Sequence, residues 1–174
     1  FYYLEARLAS MEEQDVDVHA LSLTTPMVYW APPAFGLKLA EAFNDGCAEY
    51  HEAHPDRFYG LAMLPMQAPD LAIQELERAA KLPGMRGVYM ATQVNAADGD
   101  RELSDPDFFP VYERIEAMGW TIFLHPVKVV EPARLRKFYL TNFIGNPTES
   151  AIAASHLIFG EVLDRFPKLT VCLP

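Results

Sequence analysis

Hydrophobic positions in this chain fall into two alternating kinds of run. Short stretches at 16–23, 58–64, 86–91, 120–124 and 169–173 are rich in apolar, β-branched and aromatic residues. Most are apolar on both faces, the pattern of parallel strands covered by helices. Longer stretches between them follow the helical period. Over 68–82, Ala72, Ile73, Leu76, Ala79 and Ala80 line one stripe, with Asp70, Gln74, Glu77, Arg78 and Lys81 facing away. Over 104–119, Asp105 is placed to cap a helix, Pro106 to start its first turn and Gly119 to end it. Pro110 is tolerable there because it lies near the start. The pattern predicts further helices over 33–54 and 147–166, and the first 18 residues open inside a helical pattern.

The resulting order, β-α-β-α-β-α-β-α-β, means repeated right-handed βαβ units in one α/β domain over residues 1–174. Two architectures fit: an open doubly wound sheet, or part of a (β/α)8 barrel. Neither G-x-G-x-x-G nor G-x-x-x-x-G-K-[ST] occurs, so the nucleotide-binding forms of the open sheet lose support. The chain starts in a helical pattern and stops at the end of a strand pattern, so it reads as a segment of something larger.

Charge narrows the partners. Fourteen Lys and Arg against 24 Asp and Glu give a net charge of −10. Such a chain repels nucleic acid and anionic membrane surfaces. No apolar run approaches the roughly 20 residues that span a bilayer. Cys47 and Cys172 are far apart and read as two free, buried thiols in a reducing compartment, which places the protein in the cytoplasm.

In either architecture, chemistry gathers where the strands' carboxyl ends meet their loops. The fourth run ends in "FLHP", so His125 closes a buried strand. It is either a metal ligand or proton-transfer group, or a histidine satisfied by backbone. His19, His51, His54 and His156 read as structural. Met27, Tyr29 and Trp30 after the first strand either wall a pocket for a flat substrate or pack the loop. Thr92 and Asn95 after the third strand could hydrogen-bond a ligand, although Asn95 in "NAADGD" equally suits a turn. Lys128, Arg134, Arg136 and Lys137 in the long loop 126–147 suit surface charge better than a carboxylate site.

Four pieces carry more than spacing: "LSLTTPMVYWAPP", "HPDRFYGLAMLPMQAPDLAIQELERA", "FFPVYERIEAMGWTIFLHP" and "IFGEVLDRFPKLTVCLP". In that order they resemble the amidohydrolase-related metal-dependent decarboxylases, the group of the aminocarboxymuconate-semialdehyde, resorcylate and carboxyvanillate decarboxylases. The resemblance implies a distorted (β/α)8 barrel with one catalytic divalent metal, of which this chain supplies about strands two to six. It implies that His125 is a metal ligand at the end of the fifth barrel strand, with Trp30, Tyr29, Met27, Asn95 and Thr92 shaping the substrate pocket. The family's H-x-H would lie before Phe1. Its acid/base histidine, in an H-x-G-G motif, would lie just after Pro174, so no catalytic acid/base falls within this chain. "GVYMATQVN" ends its strand without the lysine of dinuclear relatives, which favours one metal. Zinc is favoured over manganese for a histidine-rich site. The implied activity is non-oxidative decarboxylation of a small aromatic or conjugated carboxylic acid by a homodimer. Metal-dependent hydrolysis of a lactone or amide, and a non-catalytic binding fragment, are the alternatives.

Overall fold

A computed structural model describes residues 4–97 and 99–174; Phe1–Tyr3 of the opening helical pattern and Asp98 of the segment after the third strand lie outside the described residues. The elements are α1 (Leu4–Glu13), β1 (His19–Leu21), α2 (Pro33–Ala53), β2 (Phe58–Met63), α3 (Pro69–Ala79), β3 (Met85–Ala91), β4 (Gln93–Ala96), β5 (Gly99–Glu102), α4 (Phe109–Met118), β6 (Thr121–His125), α5 (Asn146–Phe159), α6 (Val162–Arg165) and β7 (Thr170–Cys172).

Five strands form one parallel sheet in the order β1-β2-β3-β6-β7. That order never reverses. A doubly wound sheet must reverse at a switch point, so the winding is that of a barrel. The helices lie on one face. There Met90, Ile122 and Leu124 surround a small void together with Tyr112 of α4 and Leu157 of α5. On the other face Ala20, Thr170 and Cys172 are exposed, and Tyr89, Phe123 and His125 are half-buried.

One polar cluster locks α2, β2 and α3 together. Asn44 treats Met63 as a strand partner would: its Oδ1 accepts from the Met63 amide at 2.8 Å and its Nδ2 donates to the Met63 carbonyl at 2.9 Å. The same Nδ2 donates to Glu75 at 2.6 Å, and Glu75 receives Arg78 on both carboxylate oxygens at 2.7 and 2.9 Å. Asn44 and Glu75 are fully buried. A carboxylate there is tolerable only because it is paired and hydrogen-bonded.

Several expectations need correction. The first strand is shorter than 16–23, because Val16 and Asp17 give their carbonyls to the Arg57 guanidinium (3.2 and 2.7 Å) and not to a ladder. Segment 92–100 does not form a plain loop: β4 and β5 pair as an antiparallel hairpin, with Gln93 donating to Glu102 at 2.5 Å. The helix expected over 147–166 breaks after Phe159, where a Cβ on Gly160 would collide with Ser104 and Glu161 turns left-handed at φ 60°. Cys172 is exposed and not buried, since it sits on the open face of the last strand. Cys47 is buried as expected, and burial pushes its thiol up to about 12. The cap at Asp105 is present, accepting from the Asp107 amide at 3.0 Å, and Gly119 ends α4 at φ 65°.

Candidate active site

His125 is the last residue of β6, one place further along the strand than the pattern indicated. Its neighbour in register on β3 is Ala91, whose side is only a methyl group. The ring of Tyr89, one step back on the same face, therefore leans toward the imidazole, with centroids 5.7 Å apart. The His125 carbonyl accepts from the Thr92 amide at 3.1 Å, which carries the ladder one bond past β3. Two atoms here stay unpaired: His125 Nδ1 and Thr92 Oγ1 are both buried and have no hydrogen-bond partner. Buried polar atoms are rarely left so, and a bare imidazole nitrogen facing the open side of a sheet suits a metal or a ligand. Below them, Gly87 is required for close approach. A Cβ there would lie 2.7 Å from the Thr121 carbonyl oxygen and 3.3 Å from the side chains of Leu61 and Phe123.

The loop after β1 is fastened over the end of β2. Gln67 donates to the carbonyls of Val28 and Ala31 at 3.0 and 3.1 Å, while its own Oε1 is buried without a partner. Within that loop Met27 and Tyr29 are buried, and the Tyr29 hydroxyl accepts from the Ala91 amide at 3.4 Å. Burial holds that hydroxyl well above the ordinary tyrosine range. Tyr29 thus touches the backbone directly opposite His125 and fixes it from behind. Trp30 is half exposed, anchored by its indole N–H to the Met27 carbonyl at 3.1 Å and set edge-on to Phe35. Its ring is open to solvent, whereas Met27 and Tyr29 pack inside the loop.

Asn95 lies in the hairpin and not beside His125. Its amide donates to Gln93 at 2.7 Å and to Asp100 at 2.9 Å. Lys128 pairs with Asp100 and holds that carboxyl below its usual range; Arg134, Arg136 and Lys137 are exposed. Of the remaining histidines, His19 at the start of β1 also has a buried, unpartnered Nδ1, while two others have ring partners. His51 contacts the Phe58 carbonyl at 2.7 Å, and His156 contacts Ser104 at 3.0 Å and Glu102 at 3.4 Å. A surface hollow of about 500 Å³ between α5 and Ser104 lies on the helix side and not on the His125 face. Among the described residues no three His, Cys, Asp or Glu side chains converge as a metal site. His125 alone therefore offers one donor, where a zinc-type site needs about three. The sequence reading missed Tyr89, Ser22 and Gln67, because only the register of the sheet brings them to this mouth.

A family model described as Amidohydrolase matches residues 2–174. The chain belongs to the amidohydrolase family. Among curated relatives it is 37% identical, over 97% of its own length and 46% of the relative's, to the 2-amino-3-carboxymuconate-6-semialdehyde decarboxylase of Dictyostelium discoideum. It is 30% identical to the gamma-resorcylate decarboxylase of Polaromonas sp., over 97% of this chain and 54% of that one. The chain spans about half the length of the curated relatives it matches. Among solved structures of amidohydrolase type, 5-carboxyvanillate decarboxylase from Sphingomonas paucimobilis superposes with TM-score 0.82 at 33% identity, over 95% of this chain and 49% of that chain. A manganese-bound dihydroxybenzoic acid decarboxylase from Polaromonas sp. gives TM-score 0.79 at 27% identity, over 97% and 53%. The one-directional sheet is accordingly a segment of the amidohydrolase (β/α)8 barrel, with His125 at its mouth.

Proposed function

We propose that the protein carrying this chain is a metal-dependent non-oxidative decarboxylase, a carboxy-lyase acting on a small aromatic or conjugated carboxylic acid. The observation behind this reading is the unpartnered, buried imidazole nitrogen of His125 at the carboxyl end of a barrel strand, in a chain whose relatives are decarboxylases of such acids. His125 would hold one divalent ion together with donors from elsewhere in the protein. Bound there, such an ion would supply Lewis-acid chemistry, polarising a carboxylate or hydroxyl oxygen and offsetting charge that develops on the substrate.

The chain's own residues prepare that event. The Thr92 amide and the pairing with Ala91 fix the His125 backbone, and Tyr29 fixes Ala91 in turn. Leu61, Phe123 and Tyr89 make the inner face largely apolar, which keeps water from the carbon to be protonated. The electron pair of the broken C–C bond ends in a new C–H bond, and CO2 departs. The proton donor, by the family resemblance, is a histidine outside the described residues. In this reading exposed Trp30 and the unpartnered Thr92 hydroxyl would meet the substrate, Met27 and Tyr29 would back the wall, and Asn95 would shape the hairpin beside it. The manganese of the Polaromonas relative weighs toward manganese over the zinc expected from ligand chemistry. We further propose a cytoplasmic homodimer in which residues 1–174 are part of one domain.

The test is an assay of the whole protein, metal-loaded and metal-stripped, on hydroxybenzoates and muconate semialdehydes, with elemental analysis alongside. Metal-dependent CO2 release with no water consumed supports the reading. Absence of CO2 from every acid, or ring opening with water consumed, rejects it.

A further inference from the structure

Strand register stacks the inner face of the sheet in layers. Leu61, Gly87 and Thr121 lie in one, Met63, Tyr89 and Phe123 in the next, and Ala91 and His125 above them. In a barrel such layers plug the interior, and the side chains just beneath the mouth become the floor of whatever binds there. Tyr89 is in that position. On one side its ring lies 5.7 Å from the His125 ring, inclined at 46°. On the other side its hydroxyl reaches toward Ser22, just past the end of β1. Since β2 runs between β1 and β3, the tyrosine spans the inner surface from the histidine strand's neighbour to the far edge. Met63, paired with Tyr89 on this otherwise open face, is fully buried. A ring set between Met63, Phe123 and His125 has little room to swing aside. It also offers a flat face that suits offset or edge-on packing against another ring.

We infer that Tyr89, flanked by Met63 and Phe123 beneath His125, is the floor of the substrate pocket and sets how large a planar acid can reach the metal side of His125. This rests on the decarboxylase reading. Tyr89 is a positioning residue: it moves no proton and holds no metal. It selects by the space left above its ring.

The experiment uses the whole protein loaded with manganese, as wild type, Tyr89→Phe, Tyr89→Leu and Ser22→Ala. Equilibrium binding is measured for non-reactive nitro analogues of hydroxybenzoate carrying hydrogen, methyl or isopropyl on the ring, and kcat and KM are measured for the matching acids. Tyr89→Leu should shift relative affinity toward the larger analogues by roughly tenfold or more, the scale at which pockets sense a methylene, with the change in KM and not in kcat. Tyr89→Phe and Ser22→Ala remove the same hydroxyl contact and keep the ring, so both should keep the order of the size ranking. Metal content should equal wild type throughout. A loss by the same factor across the series, with metal retained, overturns the inference and makes Tyr89 a packing residue. Wild-type protein that binds none of the analogues overturns it as well. Size-ranked binding that Tyr89→Leu inverts, without CO2 release from any acid, supports the floor and rejects the decarboxylase reading alone.

Discussion

Ala91 and His125 stand opposite each other across β3 and β6, and the residue after Ala91 gives its amide to the His125 carbonyl at 3.1 Å. The histidine is therefore held by its backbone and by the Tyr89 ring, and its ring nitrogen Nδ1 is left without a protein partner. His19 Nδ1 is also buried and unpartnered, at the start of β1; what sets His125 apart is its place at the carboxyl end of a strand.

Replacing His125 by alanine should strip the metal and spare the fold, since no ring hydrogen bond at Nδ1 is lost. The loss of metal affinity should exceed the roughly 10–100-fold seen when outer-shell partners are removed. Elemental analysis after gel filtration, with far-ultraviolet circular dichroism, checks both halves. Full metal retention in the variant would end the assignment of His125 as a ligand.

The Thr92 hydroxyl is buried and has nothing to bond. Thr92→Val keeps its shape and removes that unsatisfied group, so metal-free stability in urea should stay level or rise by about 1 kcal/mol. Substrate affinity should fall in the same variant. A stability loss above about 2 kcal/mol would reveal a protein partner for the hydroxyl and remove Thr92 from the pocket.

Asn44→Ala should be among the costly single changes in this chain, at about 3 kcal/mol. It deletes both hydrogen bonds to the Met63 backbone and uncovers the buried Glu75 carboxylate. Glu75→Gln should cost less, because the amide keeps an acceptor for Asn44 and buries no charge. Urea denaturation midpoints of the two variants decide it, and equal costs would contradict the claim that Asn44 substitutes for a strand.

Glu149 is buried, and that burial, reinforced by nearby Glu102, raises its carboxyl above the usual range against the opposing pull of the Val130 amide and Lys128. A raised value means the folded chain binds this proton more tightly than the unfolded one. Its contribution is complete below the ordinary carboxylate value near about 4, and is lost as pH rises through the folded value. Glu149→Gln should therefore gain stability over wild type on going from acid to neutral pH. Thermal midpoints at two pH values measure this; a gap that narrows toward neutrality would refute it.

Sequence alone located β2, β3 and β6 to within a residue or so, because each is a short, mostly apolar run bounded by helices with clear stripes. The β4–β5 hairpin escaped because its strands are short and polar, and side chains hold it: Gln93 on Glu102, and Asn95 on Asp100. The Asp98–Gly99 dipeptide was a usable turn signal. The break at Gly160 was hidden inside a continuous apolar period, and only the approach of Ser104 from the hairpin side explains it. His125 was legible because a strand that ends in an imidazole is visible in one dimension. Tyr89, Ser22 and Gln67 were not, since their place at the mouth depends on how distant strands align.

The unbroken order β1-β2-β3-β6-β7 also sets a schedule. Within the parallel sheet each strand pairs with the sheet strand that precedes it in the chain. The β4–β5 hairpin and α4 fill the interval between β3 and β6, and α5 and α6 that between β6 and β7. Such crossovers carry more closure entropy than a local hairpin, so the parallel pairings form slowly by comparison. The strand bearing His125 can meet β3 only after the hairpin and α4 have been made.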